Sequence, residues 1–309
     1  MQADHEATKI DVHVIHSFIS ERSGGNPAGV VLDADSLSET EMQSVAAHLG
    51  LSEIAFVSRA AGGAFRLDFF TPNRRIAHCG HATIAAFSRL AELGRVSEGW
   101  TSKETIDGSR RILIRDGLAY MEQTAPRYLR PDAWAKGISV GDVLRSLGLA
   151  DVNLDTRTVP MVVSTGNSFL LLSVERAQTL ARIVPDHDAV AAISEILDLI
   201  GYYVFTTEVA TPHRDATTRM FAPRFAIPEE AATGMAAGPL ACLLHDHMGI
   251  AKRQYHIEQG VLMPEPSPSL ITVQLDIRDG RIRGLMVGGR AQLVQSRTVE
   301  IGPTGSLSA

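Results

Sequence analysis

Alternating apolar and polar positions dominate the first quarter of the chain. The segments "IDVHVIHSF" from Ile10, "GVVLD" from Gly29, "EIAFVSR" from Glu53 and "AFRLDFFT" from Ala64 are rich in β-branched and aromatic residues and predict strands. One helix interrupts them. Ser38 and Glu41 of "SETE" have the spacing of a capping box, and the amphipathic "MQSVAAHL" that follows stops at Gly50. Further on, "RILIRDGLAYMEQ" predicts a hairpin turning on Asp116-Gly117, and "SVGDVLRSLGL" from Ser139 predicts a short capped helix. The stretch from Ser97 to Ser109 has no clear period and is expected to be loop.

The second half begins again with strands, "TVPMVVSTG" and "SFLLLSV", and continues with a helical stretch from about Glu175 to Leu199 broken near Pro185. It returns to strand in "YYVFTTEV" and ends in a β-meander, "SLITVQLDIRDGRIRGLMVGGRAQLV", with a turn at Asp279-Gly280. Strands outnumber helices and several connections are short, so mixed or antiparallel sheets are expected. The 309 residues are expected to form two domains, 1–155 and 156–309, with the final strands crossing back to the first.

An internal echo supports two related halves. "RLDFFTPNRRIAHCGHATIAAFSRLAELG" and "TRMFAPRFAIPEEAATGMAAGPLACLLHDHMG" share a strand ending in Phe-x-Pro, a polar loop, a glycine among small residues and an apolar helix closing on Gly. A Gly loop entering a helix leaves backbone N–H groups unpaired at the positive end of a dipole, so each copy offers a site for an anionic oxygen. Gly80 and Gly234 also have a plainer explanation, the close packing of helix on strand.

Composition narrows the function classes. The basic side chains, 29 against 35 acidic, are spread without clusters, and the net charge is −6, which argues against nucleic-acid or membrane partners. Two cysteines, Cys79 and Cys242, are too few for a disulfide framework and point to a reducing compartment. "MQADHEATKIDV" lacks the apolar core of a signal peptide, so a cytoplasmic location is expected. His78, Cys79 and His81 crowd into four residues, but no second His or Cys cluster with ligand spacing accompanies them, so no metal is expected. Glu53 begins an apolar strand. Burial there would favour the neutral acid and lift its pKa, as suits a group that takes and returns a proton, although a strand-end glutamate is more commonly solvated.

"GNPAGVVL", "LSEIAFV", "FFTPNRRIAHCGHATIAAF", "VVSTGNSFLLLSV", "TRMFAPRFAIPEEAATGMAAG" and "EQG", in this order and over most of the chain, resemble the PhzF family of phenazine-biosynthesis-type isomerases. The resemblance implies an α+β, diaminopimelate-epimerase-like fold: two similar halves, each a mixed sheet wrapped around a central helix, with the active site in the cleft between them and a homodimer as the assembly. It also implies that Glu53 is the general acid/base and that His81 binds and orients a small carboxylate substrate without a cofactor. The second cluster, ordinarily Glu-Asp-Pro-Ala-Thr-Gly-Ser in the family, reads Glu229-Glu230-Ala231-Ala232-Thr233-Gly234-Met235 here. Glu230 retains a carboxylate one methylene longer, Met235 cannot replace a hydroxyl, and Pro239 implies a late helix start or a kink.

The resulting expectation is a cofactor-free isomerase catalysing a 1,3 proton shift on a dihydro-hydroxyanthranilate-like carboxylate. Glu53 moves the proton, and His81 and Glu230 hold the polar groups. The amides of Gly80, Thr233 and Gly234 hold the carboxylate, and Ser164, Thr165 and Gly166 form a further polar loop. Two alternatives remain: an epimerase with Cys79 and Glu53 as opposed bases, Cys79 being made more acidic by the helix N-terminus, and a binder of an anionic metabolite that turns nothing over. Met235 and Glu230 favour the last.

Overall fold

A computed structural model describes residues 8–60, 62, 64–301 and 307–308, so the N-terminal stretch 1–7 lies outside the described residues. The chain divides into two compact units. Unit 1 runs to Ile19, then covers Asn26–Met121 and resumes at Gly289; unit 2 is Ser20–Gly25 and Glu122–Gly288.

Unit 1 begins with β1 (Thr8–Ser17), β2 (Asn26–Val31), α1 (Glu39–Leu49), β3 (Ile54–Arg59), β4 (Phe65–Phe70) and β5 (Arg75–Ile76). It continues with α2 (Gly80–Glu92), β6 (Gly99–Thr105), β7 (Gly108–Arg115) and β8 (Leu118–Thr124). Strand β1 pairs antiparallel with β2, β2 parallel with β3, β3 antiparallel with β4, β4 parallel with β6, and β6 antiparallel with β7. The capping box at Ser38 is present, with the Ser38 amide donating to Glu41 Oε2 at 2.8 Å, and Gly50 closes α1 at φ 63°. Met42, Val45 and Ala46 of α1 pack with Ile54, Phe56 and Phe70.

Unit 2 contains β9 (Arg127–Leu129), α3 (Val140–Ser146), β10 (Met161–Ser164), β11 (Ser168–Ser173), α4 (Ala177–Arg182), α5 (His187–Ile196), β12 (Gly201–Thr206) and β13 (Ala216–Ala222). After these come β14 (Ile227–Glu230), α6 (Gly234–Asp246), β15 (Gln254–Gln259), β16 (Ser269–Arg278) and β17 (Arg281–Gly289). Its pairing repeats the first unit strand for strand: β10/β11 antiparallel, β11/β12 parallel, β12/β13 antiparallel, β13/β15 parallel and β15/β16 antiparallel. The two copies of the sequence echo therefore become the same unit, β4–β5–α2–β6 and β13–β14–α6–β15. Each α helix is the buried axis of its sheet: α2 packs on β1, β2 and β3, and α6 on β10, β11 and β16. Finally β18 (Ala291–Ile301) pairs with β1, and β19 (Leu307–Ser308) with β18, so the last strands belong to unit 1.

Three expectations differ from the fold. Ser97–Ser109 is mainly strand, β6 and the start of β7. Apolar alternation cannot reveal β6, because it consists of Gly, Trp, Thr, Ser, Lys and Glu and is held by backbone pairing on both sides, to β4 and β7. The units divide at Met121/Glu122 instead of 155/156, because β9 pairs with β10 and draws the intervening segment into the second sheet. Helix α6 starts at Gly234 and runs through Pro239, so there is no late start. Among the described residues no helix is long and apolar enough to cross a membrane.

Gly201 marks a close approach in the sheet of unit 2. A Cβ there would lie 2.3 Å from the Phe221 carbonyl oxygen and 2.9 Å from Ala222 Cβ. Gly201→Ala must push β12 off β13, and a loss of about 1–3 kcal/mol in stability is expected, read as a lower denaturation midpoint.

Candidate active site

The backbone of unit 1 fixes two side chains against each other. Glu53 immediately precedes β3, and its carbonyl accepts from the Gly29 amide of β2 at 2.9 Å. The apolar residues that follow it are core, so the Glu53 side chain is drawn in with them and is only 7 % exposed. Cys79 is the N-cap of α2, in extended conformation at φ −142°. Ser17 Oγ donates to the His81 carbonyl at 2.8 Å, and Thr83 Oγ1 donates to the Cys79 carbonyl at 2.6 Å, so two hydroxyls pin this first turn. The result is His81 Nε2 at 3.2 Å from Glu53 Oε2, with Cys79 Sγ at 3.6 Å from His81 Nδ1 and 3.9 Å from Nε2.

Glu53 Oε2 and His81 Nε2 stand at ion-pair distance, and among the described residues this buried carboxylate oxygen has no hydrogen-bond partner besides His81. Burial pushes the Glu53 carboxyl up, but the charge and hydrogen bonding of His81, helped by Ser52, outweigh it and hold the group below its ordinary range. Burial likewise opposes charge on His81, and Cys79 and Glu53 more than offset it, so the imidazole lies well above its ordinary value. Each group therefore favours the charged form of the other. The lift toward neutrality expected for Glu53 from burial alone is thus reversed by its neighbour. Cys79 also differs from expectation: burial pushes its thiol up despite the opposing pull of His81, and the helix N-terminus does not make it acidic.

Glu53, Cys79 and His81 bring three donor atoms within 4.8 Å of one another, a convergence that ligand spacing in sequence did not reveal. The sulfur, however, is nearly equidistant from both ring nitrogens instead of standing beside one lone pair. The three atoms are close enough to offer one ligand each, and the carboxylate and the imidazole are already in ion-pair contact. Cys242, in α6, is fully buried and its thiol is also pushed up by burial.

Unit 2 builds its copy of the loop from hydroxyl and amide groups around the Glu230 carboxylate. Thr233 is the N-cap of α6. Its hydroxyl donates to Glu230 Oε2 in a short contact, and its amide donates to Gln259 Oε1 at 3.0 Å. Gln259 Nε2 donates in turn to the Glu230 carbonyl at 2.7 Å, and Tyr203 Oη donates to Gln259 Oε1 at 2.9 Å. The longer carboxylate of Glu230 therefore folds back onto the helix entrance. The polar loop after β10 joins the same assembly: Thr165 Oγ1 donates to Gln123 Oε1 at 2.6 Å, and Gln123 Nε2 donates to the Gly234 carbonyl at 3.0 Å. The Gly166 amide points to Ser164 Oγ at 3.4 Å, and Asn167 Nδ2 reaches Met235 Sδ at 3.8 Å. Ser164, Thr165, Gly166, Thr233, Gly234 and Met235 thus form one neighbourhood within unit 2, as Glu53, Cys79, Gly80 and His81 do within unit 1.

The sequence pattern defining phenazine biosynthesis-like proteins, PhzC-PhzF, matches residues 15–297. The chain belongs to the PhzF family. Similar proteins include an uncharacterized isomerase of Clostridium acetobutylicum, 31 % identical over 77 % of this chain and 80 % of its own. Another is the trans-2,3-dihydro-3-hydroxyanthranilate isomerase of Pseudomonas aeruginosa, 30 % identical over 82 % of this chain and 87 % of its own. The crystal structure of a Bacillus anthracis PhzF-family protein superposes with a TM-score of 0.84 at 25 % identity, covering 94 % of this chain and 99 % of that one. The protein is accordingly a PhzF-family isomerase with the α+β, diaminopimelate-epimerase-like fold.

Sequence reasoning missed Gln123, Gln259 and Lys103. Gln123 and Gln259 end strands in "YMEQ" and "EQG", and a lone amide at a strand end carries no signal of what it will reach. Lys103 was hidden in the segment expected to be loop.

Two outcomes follow from the ion pair. In His81→Asn only burial remains to act strongly on Glu53, so its carboxyl should titrate higher than in the parent protein, as read by ¹³C NMR of labelled glutamate; an unmoved titration would exclude His81 as its partner. The pair also makes stability depend on pH. Glu53, lowered from 4.5, contributes above that value and loses its contribution as pH falls through its folded pKa. His81, raised from 6.5, contributes fully below that value and loses its contribution as pH rises through its folded pKa. The stability difference between the parent and a Glu53→Gln/His81→Asn double variant should therefore be greatest between pH 4.5 and 6.5 and shrink on either side.

Proposed function

We propose that this PhzF-family isomerase moves one proton between two carbons of a small unsaturated carboxylate, in a 1,3 shift on a dihydro-hydroxyanthranilate-like ring. The observation that carries this reading is Glu53 Oε2, a buried carboxylate oxygen that, among the described residues, has no hydrogen-bond partner besides the His81 imidazole 3.2 Å away. The name of the Pseudomonas aeruginosa relative supports the substrate class.

In this reading Glu53 begins as carboxylate and takes a proton from a carbon next to the unsaturated system. The C–H electron pair enters that system as a delocalised anion. His81 loses the charge of its Glu53 partner at that moment, and its positive charge then stabilises the anion nearby, without reorganisation of solvent. Protonated Glu53 gives the proton back at the far end of the system. One C–H bond breaks, another forms, and no electron leaves the substrate, so the step needs no redox cofactor. Burial pushes the Cys79 thiol up, which favours one base over the opposed bases of an epimerase. The Gly80 amide, the unit 2 groups Ser164, Thr165, Gly166, Glu230, Thr233 and Gly234, and the side chain of Met235 are assigned to binding.

The test is turnover of trans-2,3-dihydro-3-hydroxyanthranilate in deuterated water, followed by NMR. Glu53→Gln should lower the rate by about 10²–10⁴-fold, the contribution typical of general acid/base catalysis, whereas Cys79→Ser should retain most activity. A Cys79→Ser protein without activity, beside an active Glu53→Gln protein, would reverse the roles. Binding of this compound with no turnover by the parent protein would point to the non-catalytic alternative.

A further inference from the structure

Lys103 of β6 is 0 % exposed and, among the described residues, forms no ion pair with a carboxylate. Its ammonium nitrogen donates to Thr83 Oγ1 at 2.7 Å, lies 3.2 Å from His78 Nδ1 and stands 5.1 Å above the Phe69 ring. A cation in the first turns of a helix opposes the helix dipole, and a buried cation without a counter-ion is costly, so the stability of α2 does not account for a lysine here. What the lysine does do is define a direction of hydrogen bonding. An ammonium can only donate, so Thr83 Oγ1 accepts from Lys103 and must send its own proton onward to the Cys79 carbonyl, 2.6 Å away.

We propose that Lys103 is a positioning residue: through Thr83 it fixes the Cys79 carbonyl and so the turn that presents His81 to Glu53. This rests on the reading of Glu53 and His81 as the proton-transfer pair. The relay supports the turn from the β6 side while Ser17 holds the His81 carbonyl from β1. Burial, with Arg110 adding to it and Cys79 and Asp107 opposing, brings Lys103 down to about 7. The neutral amine gains a lone pair but keeps N–H donors, and because the Cys79 carbonyl can only accept, Thr83 still donates to it and accepts from Lys103 in both forms.

The test follows the His81 titration by ¹⁵N NMR of the full-length, histidine-labelled protein, which requires no substrate. Lys103→Met removes the donors and keeps the apolar stem; Thr83→Val removes the hydroxyl at constant shape; Thr83→Ser keeps it. In Lys103→Met and Thr83→Val the His81 titration should fall toward its ordinary value, and in Thr83→Ser it should stay at the parent's. On any substrate the parent turns over, the first two should lower kcat by roughly 10–100-fold at similar KM, the scale of a small misplacement. If Lys103→Met does not fold, Thr83→Val decides alone. A parent-like His81 titration in a folded Lys103→Met or Thr83→Val protein overturns the proposal, as does a Thr83→Ser protein that behaves like Thr83→Val. Failure of the proton-transfer reading would appear separately, as full turnover by Glu53→Gln.

Discussion

The buried contact between Glu53 and His81 is the constraint around which unit 1 is organised. A carboxylate placed at the edge of an apolar strand would take up a proton if burial were its only influence. The first turn of α2 brings an imidazole that favours its charged form, and the carboxylate favours the charged imidazole in return. Neither group could hold its state alone, and a buried charge left without its partner costs about 3–5 kcal/mol. The pair is therefore a structural element of the core.

Holding such a pair demands a rigid backbone on both sides. Glu53 is fixed by the parallel pairing of β2 and β3, and α2 by packing on the inner face of the sheet. The helix can lie there because its buried face is largely small residues: Gly80, Ala82, Ala85 and Ala86 are fully or nearly fully covered. α6 repeats the solution with Ala236, Ala237, Gly238 and Ala241. The fold uses one strand plan twice, and the two copies carry different chemistry at the same place. The first helix entrance gathers Glu53, Cys79 and His81, and the second has Thr233 held by Glu230 and Gln259, with Gln123 on the Gly234 carbonyl.

Legibility in the sequence divided along the range of the interactions concerned. The α1 capping box, the Asp116-Gly117 and Asp279-Gly280 turns, the break at Pro185 and most strands rest on contacts within a few residues, and each was readable. The repeat was readable because it sits in the order of local signals. β6 was not, because its strand character comes from two neighbours and not from its own polar side chains. The family motifs marked Glu53 and His81 as residues to follow, and the family match then established the fold and the isomerase class.

What the sequence by itself determined is the set of chemical groups, the local elements and their duplicated order, since these follow from propensity, periodicity and capping along a single segment. The tertiary structure decided the state of those groups. Whether Glu53 is acid or carboxylate depends on an imidazole 28 residues away, and the burial of Lys103 depends on strands on either side of it. Charge states in a core are set by the nearest opposite charge and by the water excluded around it, and both belong to the packed chain and not to any one segment.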